Sequence, residues 1–234
     1  MPIEPPSQRD GYLPALRFRA LTGLFDPVVR LTMRERAFKE RLLKQANPRP
    51  GQRILDVGSG TGTLAILVKE RVPDAEVIGL DADPEILDRA RFKAADAEVD
   101  VQFDRALSTE LPYPEESFDL VLSTLFFHHL AGADKRRTAA EIARVLRPGA
   151  ELHVADFGRP GDPLMWLLFG FVRLFDGIEK TRDNAAGALP KIFDDGGLEQ
   201  TTETGRLQTG FGTLALYRAC KSIKGSPQPR NQSE

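Results

Sequence analysis

The sequence predicts an α/β fold: a doubly wound, mostly parallel seven-stranded sheet with helices on both faces, an antiparallel edge hairpin, N-terminal helices and a helical lid insert. Three observations carry this. From Gly51 to Ala155, short apolar strands alternate with amphipathic helical stretches. A glycine-rich turn, Gly58-Ser59-Gly60-Thr61-Gly62, joins the first strand to the first helix of that series. Toward the C-terminus, two strands stand only a few residues apart. Alternation specifies parallel pairing because parallel strands need crossovers, and closely spaced strands specify a hairpin.

Pro27 to Ala46 reads as an amphipathic helix, with Asp26 as N-cap, Pro27 at the first position, and Val28, Leu31, Phe38 and Leu42 on one face. Strands follow at Arg53–Val57, Glu76–Leu80, Asp100–Phe103, Phe118–Ser123 and Glu151–Ala155. The helices between them are Thr61–Arg71, stopped by Pro73; one opened by Asp83-Pro84 with Leu87, Ala90 and Ala94 inward; and Asp134–Leu146 with Thr138, Ile142 and Val145 inward. Asp83 before Pro84 is a helix cap and receives no ligand role. The rhythm then breaks into helices at Pro163–Ile178 and Asn184–Asp195 and strands at Leu198–Arg206 and Thr209–Ala219. Residues 1–224 are therefore expected to be one domain: an N-terminal helical cover (1–48), a core (49–156), a lid insert (157–197) and an edge hairpin (198–220), with a flexible tail at 225–234.

The chain has 234 residues, 41% hydrophobic and 28% charged, enough for a sizeable core. A net charge of -2 argues against nucleic acid as the principal partner. The charge is uneven. Arg9 to Arg53 holds eleven basic and four acidic residues, a local +7. It reads as the solvated face of a packing helix, and leaves open peripheral attraction to an anionic lipid or acidic substrate. The lone Cys220 excludes an internal disulfide and a multi-cysteine zinc centre, and no metal is predicted. No secretory signal or membrane span is read, so the expected location is the cytoplasm. Nothing in the sequence specifies an oligomeric state.

In the glycine-rich turn, glycines let backbone approach a ligand without a Cβ in the way. The spacing departs from the dinucleotide fingerprint, which would place its third small residue where Thr63 stands. Asp56, two residues before Gly58, suits a cationic ligand group and would repel a pyrophosphate; the competing reading is a turn-stabilising acid. Asp81 ends the second strand, where a carboxylate can accept both hydroxyls of a ribose.

The run Ile54 to Ile66 (Ile-Leu-Asp-Val-Gly-Ser-Gly-Thr-Gly-Thr-Leu-Ala-Ile) resembles the nucleotide loop of class I S-adenosylmethionine-dependent methyltransferases. Val77-Ile78-Gly79-Leu80-Asp81 resembles their second motif, Leu111 to Val121 the approach to their fourth strand, and Leu146-Arg147-Pro148-Gly149 the turn before their fifth. The resemblance covers about residues 50–156 and is greatest to the small-molecule branch with quinone and lipid methyltransferases. It implies S-adenosylmethionine as cofactor, with Gly58, Ser59 and Gly60 at its methionine portion, Asp56 on its ammonium, Asp81 and Ala82 at the ribose, Ala106 and Leu107 at adenine, and Ser123 and Thr124 at the methionine end. One departure stands out: the family's Gly-Asp-Ala is here Ala106-Leu107-Ser108, which removes an acidic acceptor for adenine's amine worth about 1.5–3 kcal/mol. Leu107 would then pack on the ring, with Ser108 or an ordered water as substitute acceptor.

For the acceptor side, His128 is the candidate general base, ahead of His129 and Asp156, since an imidazole suits proton abstraction near neutrality. His153, alternating within a strand, is expected to be packed or exposed. The insert carries Met165, Trp166, Leu168, Phe169, Phe171 and Phe175, more than one helix face requires. Trp166 and Phe169 are therefore expected to line an apolar acceptor pocket for a quinone, polyketide or lipid, with Arg182 and Asn184 orienting its polar group; the alternative is core packing, with Asp183 or Asn184 as a cap. The expected activity is methyl transfer to a small, apolar acceptor by in-line displacement. Two rivals remain: a nicotinamide-dependent oxidoreductase, and a non-catalytic nucleotide-binding or partner-binding protein of the same fold.

Overall fold

The computed structural model describes residues 35–223. In chain order these form α1 (Glu35–Ala46), β1 (Arg53–Val57), α2 (Thr63–Arg71), β2 (Glu76–Asp81), α3 (Pro84–Asp96), β3 (Gln102–Arg105), β4 (Phe118–Thr124), a 3₁₀ turn (Phe127–His129), α4 (Gly132–Val145), β5 (Leu146–Phe157), α5 (Pro163–Asp176), α6 (Ile178–Ala186), α7 (Leu189–Asp195), β6 (Leu198–Thr209) and β7 (Gly212–Lys221). The expected cap and apolar positions at Asp26, Pro27, Val28 and Leu31, and the expected tail at 225–234, lie outside the described residues.

One seven-stranded sheet has the order β3-β2-β1-β4-β5-β7-β6. Its first five strands pair in parallel, and β7 runs antiparallel to both β5 and β6. The expected doubly wound sheet and edge hairpin are therefore present. The chain leaves β1 toward β2 and β3, then returns to β1's other side at β4. That reversal opens a crevice at the carboxyl ends of β1 and β4, where ligands bind in open α/β sheets.

Two apolar layers flank the sheet. One gathers α1, α2, α3 and α5 around Phe38, Leu42, Leu64, Leu87 and Phe169. The other gathers α4 and α7 around Ile142, Val145, Ile192 and Phe193. Leu87, Ala90 and Ala94 are buried, as are Thr138, Ile142 and Val145, at the positions their 3.6-residue spacing selects. On α1, Phe38, Leu42 and Leu43 are buried, each stabilising its contact by roughly 1.5–3 kcal/mol. Asp83 accepts from the amides of Glu85 (2.9 Å) and Ile86 (3.3 Å), so it caps α3.

Several boundaries differ from expectation, and glycine explains most of them. Helix α2 starts at Thr63 rather than Thr61 because Gly60 and Gly62 hold left-handed φ of 54° and 74°. The insert divides into three helices, not two: Gly177 (φ 96°) ends α5 and Gly187 (φ 72°) ends α6. Strand β5 begins before the Pro148-Gly149 turn, with a register shift against β4 between Phe118 and Leu120. No helix among the described residues is long and apolar enough to cross a membrane.

Candidate active site

The turn after β1 is built by backbone conformation. Gly58, Gly60 and Gly62 all take left-handed φ. The amides of Gly58 and Ser59 both donate to the Leu80 carbonyl at 2.9 Å, which fixes the loop to the end of β2. A Cβ on Gly58 would sit 2.2 Å from the Phe126 ring, whereas one on Gly60 would meet nothing within 4 Å. Gly60 therefore presents bare backbone to open space. Asp81 finishes the frame: one carboxylate oxygen accepts from the Gly60 amide and the other from the Asp83 amide, both at 3.0 Å.

Asp56 lies directly beneath. It is 1% exposed, and neither carboxylate oxygen has a hydrogen-bond partner among the described residues. Burial pushes its pKa up to about 7; the Lys39 charge pulls the other way and Asp81 adds to the rise. Ser59, also buried, has an unpartnered hydroxyl. The Ala65 amide in the first turn of α2 also pulls the Asp56 pKa down, while neither carboxylate oxygen reaches an amide of the glycine turn itself. Two orphaned polar groups beside an open glycine backbone are the acceptor set a cationic amino-acid group requires.

The other predicted donor-side residues are distributed around the same edge. Thr124 ends β4, half-buried, while the Ser123 hydroxyl donates to the Val57 carbonyl at 2.8 Å and ties β4 to β1. Ala82 is half-buried. The Ala106 amide donates to the Asp81 carbonyl at 3.2 Å, which places Leu107, 53% exposed, beyond the end of β2. Ser108 is turned inward onto Thr138 at 2.9 Å, so its hydroxyl is already engaged rather than offered to adenine.

At the ends of β4 and β5 a second centre is made of side chains. Asp156 is fully buried and accepts five hydrogen bonds: from the amides of Phe126 (3.0 Å), Phe127 (2.7 Å) and Phe157 (2.7 Å), from His128 Nδ1 (2.7 Å) and from Asn184 Nδ2 (3.3 Å). Burial alone would raise this carboxyl, but the His128 imidazole and the amides hold it below the usual range. Burial alone would lower His128, and the Asp156 carboxylate more than offsets it, so His128 is raised. With Nδ1 on Asp156, His128 points Nε2 toward Asp176 at the end of α5, 3.8 Å away. Asp176 also lies 3.0 Å from His129 Nδ1. Burial and the neighbouring His128 lower His129, and the paired imidazole keeps Asp176 low.

The insert corrects two expectations. Phe169 is fully buried, packed on Phe157 with ring centroids 5.3 Å apart, so it belongs to the core and not to an acceptor wall. Asn184 is also fully buried. Its amide nitrogen donates to the Phe157 carbonyl (2.8 Å) and to Asp156, so it anchors α6 to the sheet, while its Oδ1 has no partner among the described residues. Arg182 is exposed, away from these contacts. Trp166 is 43% exposed and lines a cavity of about 490 Å³ with Arg159, Asp162 and Arg206. His153 is buried between Gln45 and Glu151, each at 2.8 Å, which makes it a packing residue. Sequence reasoning missed Lys39 beside Asp56, Phe126 against Gly58, and Asp176. None had a local signal, since each acts across the fold.

Part of the chain is similar to known methyltransferases. Residues 54–149 match the family model described as a methyltransferase domain. The demethylmenaquinone methyltransferase of Deinococcus radiodurans is 36% identical over 135 residues, covering 58% of this chain and 55% of that protein. The chain thus spans about half the length of the curated relatives it matches. The YcgJ protein of Bacillus subtilis superposes with a TM-score of 0.66 at 20% identity, over 79% of this chain and 97% of that one. A phosphoethanolamine N-methyltransferase of Haemonchus contortus, solved with S-adenosyl-L-methionine, gives a TM-score of 0.64 at 17% identity, over 80% of this chain and 52% of that one. The two structural likenesses establish the fold.

Proposed function

We propose that the chain is a class I S-adenosylmethionine-dependent methyltransferase that transfers a methyl group to a small, apolar acceptor of the quinol type. The observation that carries this reading is the buried, unpartnered Asp56 carboxylate under the open backbone of Gly60. Asp56 and Ser59 would take the ammonium of the donor, Gly58 and Gly60 its methionine backbone, and Asp81 with Ala82 its ribose. Leu107 and Ala106 would flank adenine, while Thr124 and the β4 terminus at Ser123 face the reacting end. When bound, S-adenosylmethionine supplies a methyl group on a positively charged sulfur, already electrophilic without help from a nucleophilic side chain.

The remaining work falls to alignment and the acceptor's proton. Holding two reactants in line contributes up to about 7–11 kcal/mol of barrier reduction. His128, its Nδ1–H hydrogen-bonded to the Asp156 carboxylate, would in its neutral form offer Nε2 as base to an ionisable oxygen of the acceptor. The acceptor's proton would pass to His128 Nε2, while the bound cofactor would supply the methyl group and carry away the sulfur as a neutral thioether. Trp166 would offer the acceptor an apolar face at the start of α5; the 490 Å³ cavity it lines includes neither His128 nor any donor-side residue. We assign the core, lid and hairpin to residues 49–156, 157–197 and 198–220 and propose a cytoplasmic location; the part of the expected cover at residues 1–34 lies outside the described residues.

The quinol assignment draws on the name of the Deinococcus relative. The test is incubation of the full chain with methyl-labelled S-adenosylmethionine and a short-chain demethylated naphthoquinol. Label should enter the quinol fraction and slow markedly in His128→Gln. Tight binding of S-adenosylhomocysteine with no label transferred to any quinol would overturn the acceptor class.

A further inference from the structure

We propose that His128, His129 and Asp176 together hold a divalent transition-metal cation at the acceptor end of the cleft, and that the acceptor's ionisable oxygen binds this cation. The inference rests on the placement of His128 at the acceptor side and refines how that residue meets the acceptor.

Three features of the geometry carry it. First, one ligand atom from each of the three residues lies within 4.8 Å of the others. The ring nitrogens of His129 and His128 stand 3.0 Å and 3.8 Å from the two oxygens of Asp176. Ligands about 2.1 Å from a common metal stand roughly 3.0–3.4 Å apart, so only small side-chain rotations are needed. Second, His128 is already oriented as a ligand. Its Nδ1 is fixed on Asp156, which is fully buried and held by three backbone amides, so Nε2 is the ring atom that faces Asp176. A carboxylate behind a ligating imidazole is the arrangement that fixes tautomer and raises ligand basicity in metal sites. Third, the set is unsaturated. Two imidazoles and one carboxylate leave open positions, and His129 and Asp176 are only half-buried, so an exogenous oxygen can reach the centre.

The donor types select the ion. Two imidazoles and a carboxylate favour zinc or iron, whereas magnesium, calcium and manganese prefer a shell of oxygens. A cation here would replace the proton shared by His129 and Asp176, and would ionise a bound enol or phenol oxygen by its own charge. The residues come from two places, the 3₁₀ turn after β4 and the last turn of α5. Occupancy would therefore also pin the end of α5 to the sheet.

The experiment is titration of the full-length, chelator-treated protein with Zn²⁺ by calorimetry in two buffers of different ionisation enthalpy. Elemental analysis of the dialysed complex gives stoichiometry, and S-adenosylhomocysteine affinity is measured in parallel as a control for folding. The expected result is one ion per chain with proton release, at least tenfold weaker in Asp176→Asn and in His129→Gln, while S-adenosylhomocysteine affinity is unchanged in both. Absence of stoichiometric binding, or equal affinity in wild type and both variants, overturns the metal site. Either result leaves the methyltransferase reading intact, because that reading stands on the Asp56 and Asp81 side.

Discussion

The two ends of the crevice solve the same problem by opposite means. On the β1–β2 side, recognition is written in backbone: three left-handed glycines, two amides on the Leu80 carbonyl, and a carboxylate, Asp56, left unpaired beneath them. On the β4–β5 side it is written in side chains, and the central carboxylate, Asp156, has every partner it can use. Both acids are buried and burial raises both, but only Asp156 has partners that reverse it. Asp56 is pushed up to about 7, while Asp156 is held low. The lesson is that an unsatisfied buried acid marks where a cationic ligand enters, and a satisfied one marks what must not move.

The largest effect should come from breaking the satisfied side. Asp156→Ala removes the acceptor of three amides, His128 and Asn184 at once, and is expected to destabilise the protein by about 3–5 kcal/mol. Chemical denaturation reads this directly. A change below 1 kcal/mol would mean that the five hydrogen bonds are replaceable and the contrast between the two sides is false.

Next comes the unsatisfied side. The unfolded Asp56 carboxyl ionises near 3.8, the folded one at about 7. Between those values the folded state holds the extra proton, so stability falls as pH rises through that window. A cationic ligand needs the ionised form, so its binding should strengthen as pH rises toward and through about 7 and then level off. Asp56→Asn should flatten both trends. Thermal unfolding and ligand titration at pH 5, 6, 7 and 8 would show it; parallel profiles in wild type and variant would contradict it.

The smallest effect is expected at the lid. Trp166 is half-exposed, so Trp166→Ala should change stability by under about 1 kcal/mol. Its effect should fall on the acceptor's KM, leaving S-adenosylhomocysteine affinity untouched. A loss of donor affinity would place Trp166 on the wrong side of the cleft.

The same contrast explains what could be read from the sequence. The donor side is carried by two contiguous stretches, Ile54 to Ile66 and Val77 to Asp81, where glycine spacing and strand ends have local meaning. The acceptor side assembles residues 126–129, 156, 176 and 184, whose meeting depends on the crossover after β4 and on how the insert docks. Helix α5 shows why that failed. Met165, Phe169 and Val172 form one helical stripe and are buried; Leu164, Leu167, Phe171 and Leu174 form another and are exposed. With both stripes apolar, periodicity cannot say which faces the core, and Phe169 was assigned to the acceptor wall for that reason. Asn184 illustrates a second limit: an amide's role is set by whichever unpaired carbonyl it meets, here that of Phe157.

The most direct test of the donor assignment is calorimetry with S-adenosylhomocysteine on wild type and Asp81→Ala. The wild-type chain should bind with one site. The variant, having lost charge-assisted bonds to the ribose and the anchor of the Gly60 amide, should bind about 10–150-fold more weakly. Equal affinity in the two proteins, or no binding by the wild type, would contradict the placement of the nucleoside beside Gly60 and Asp81.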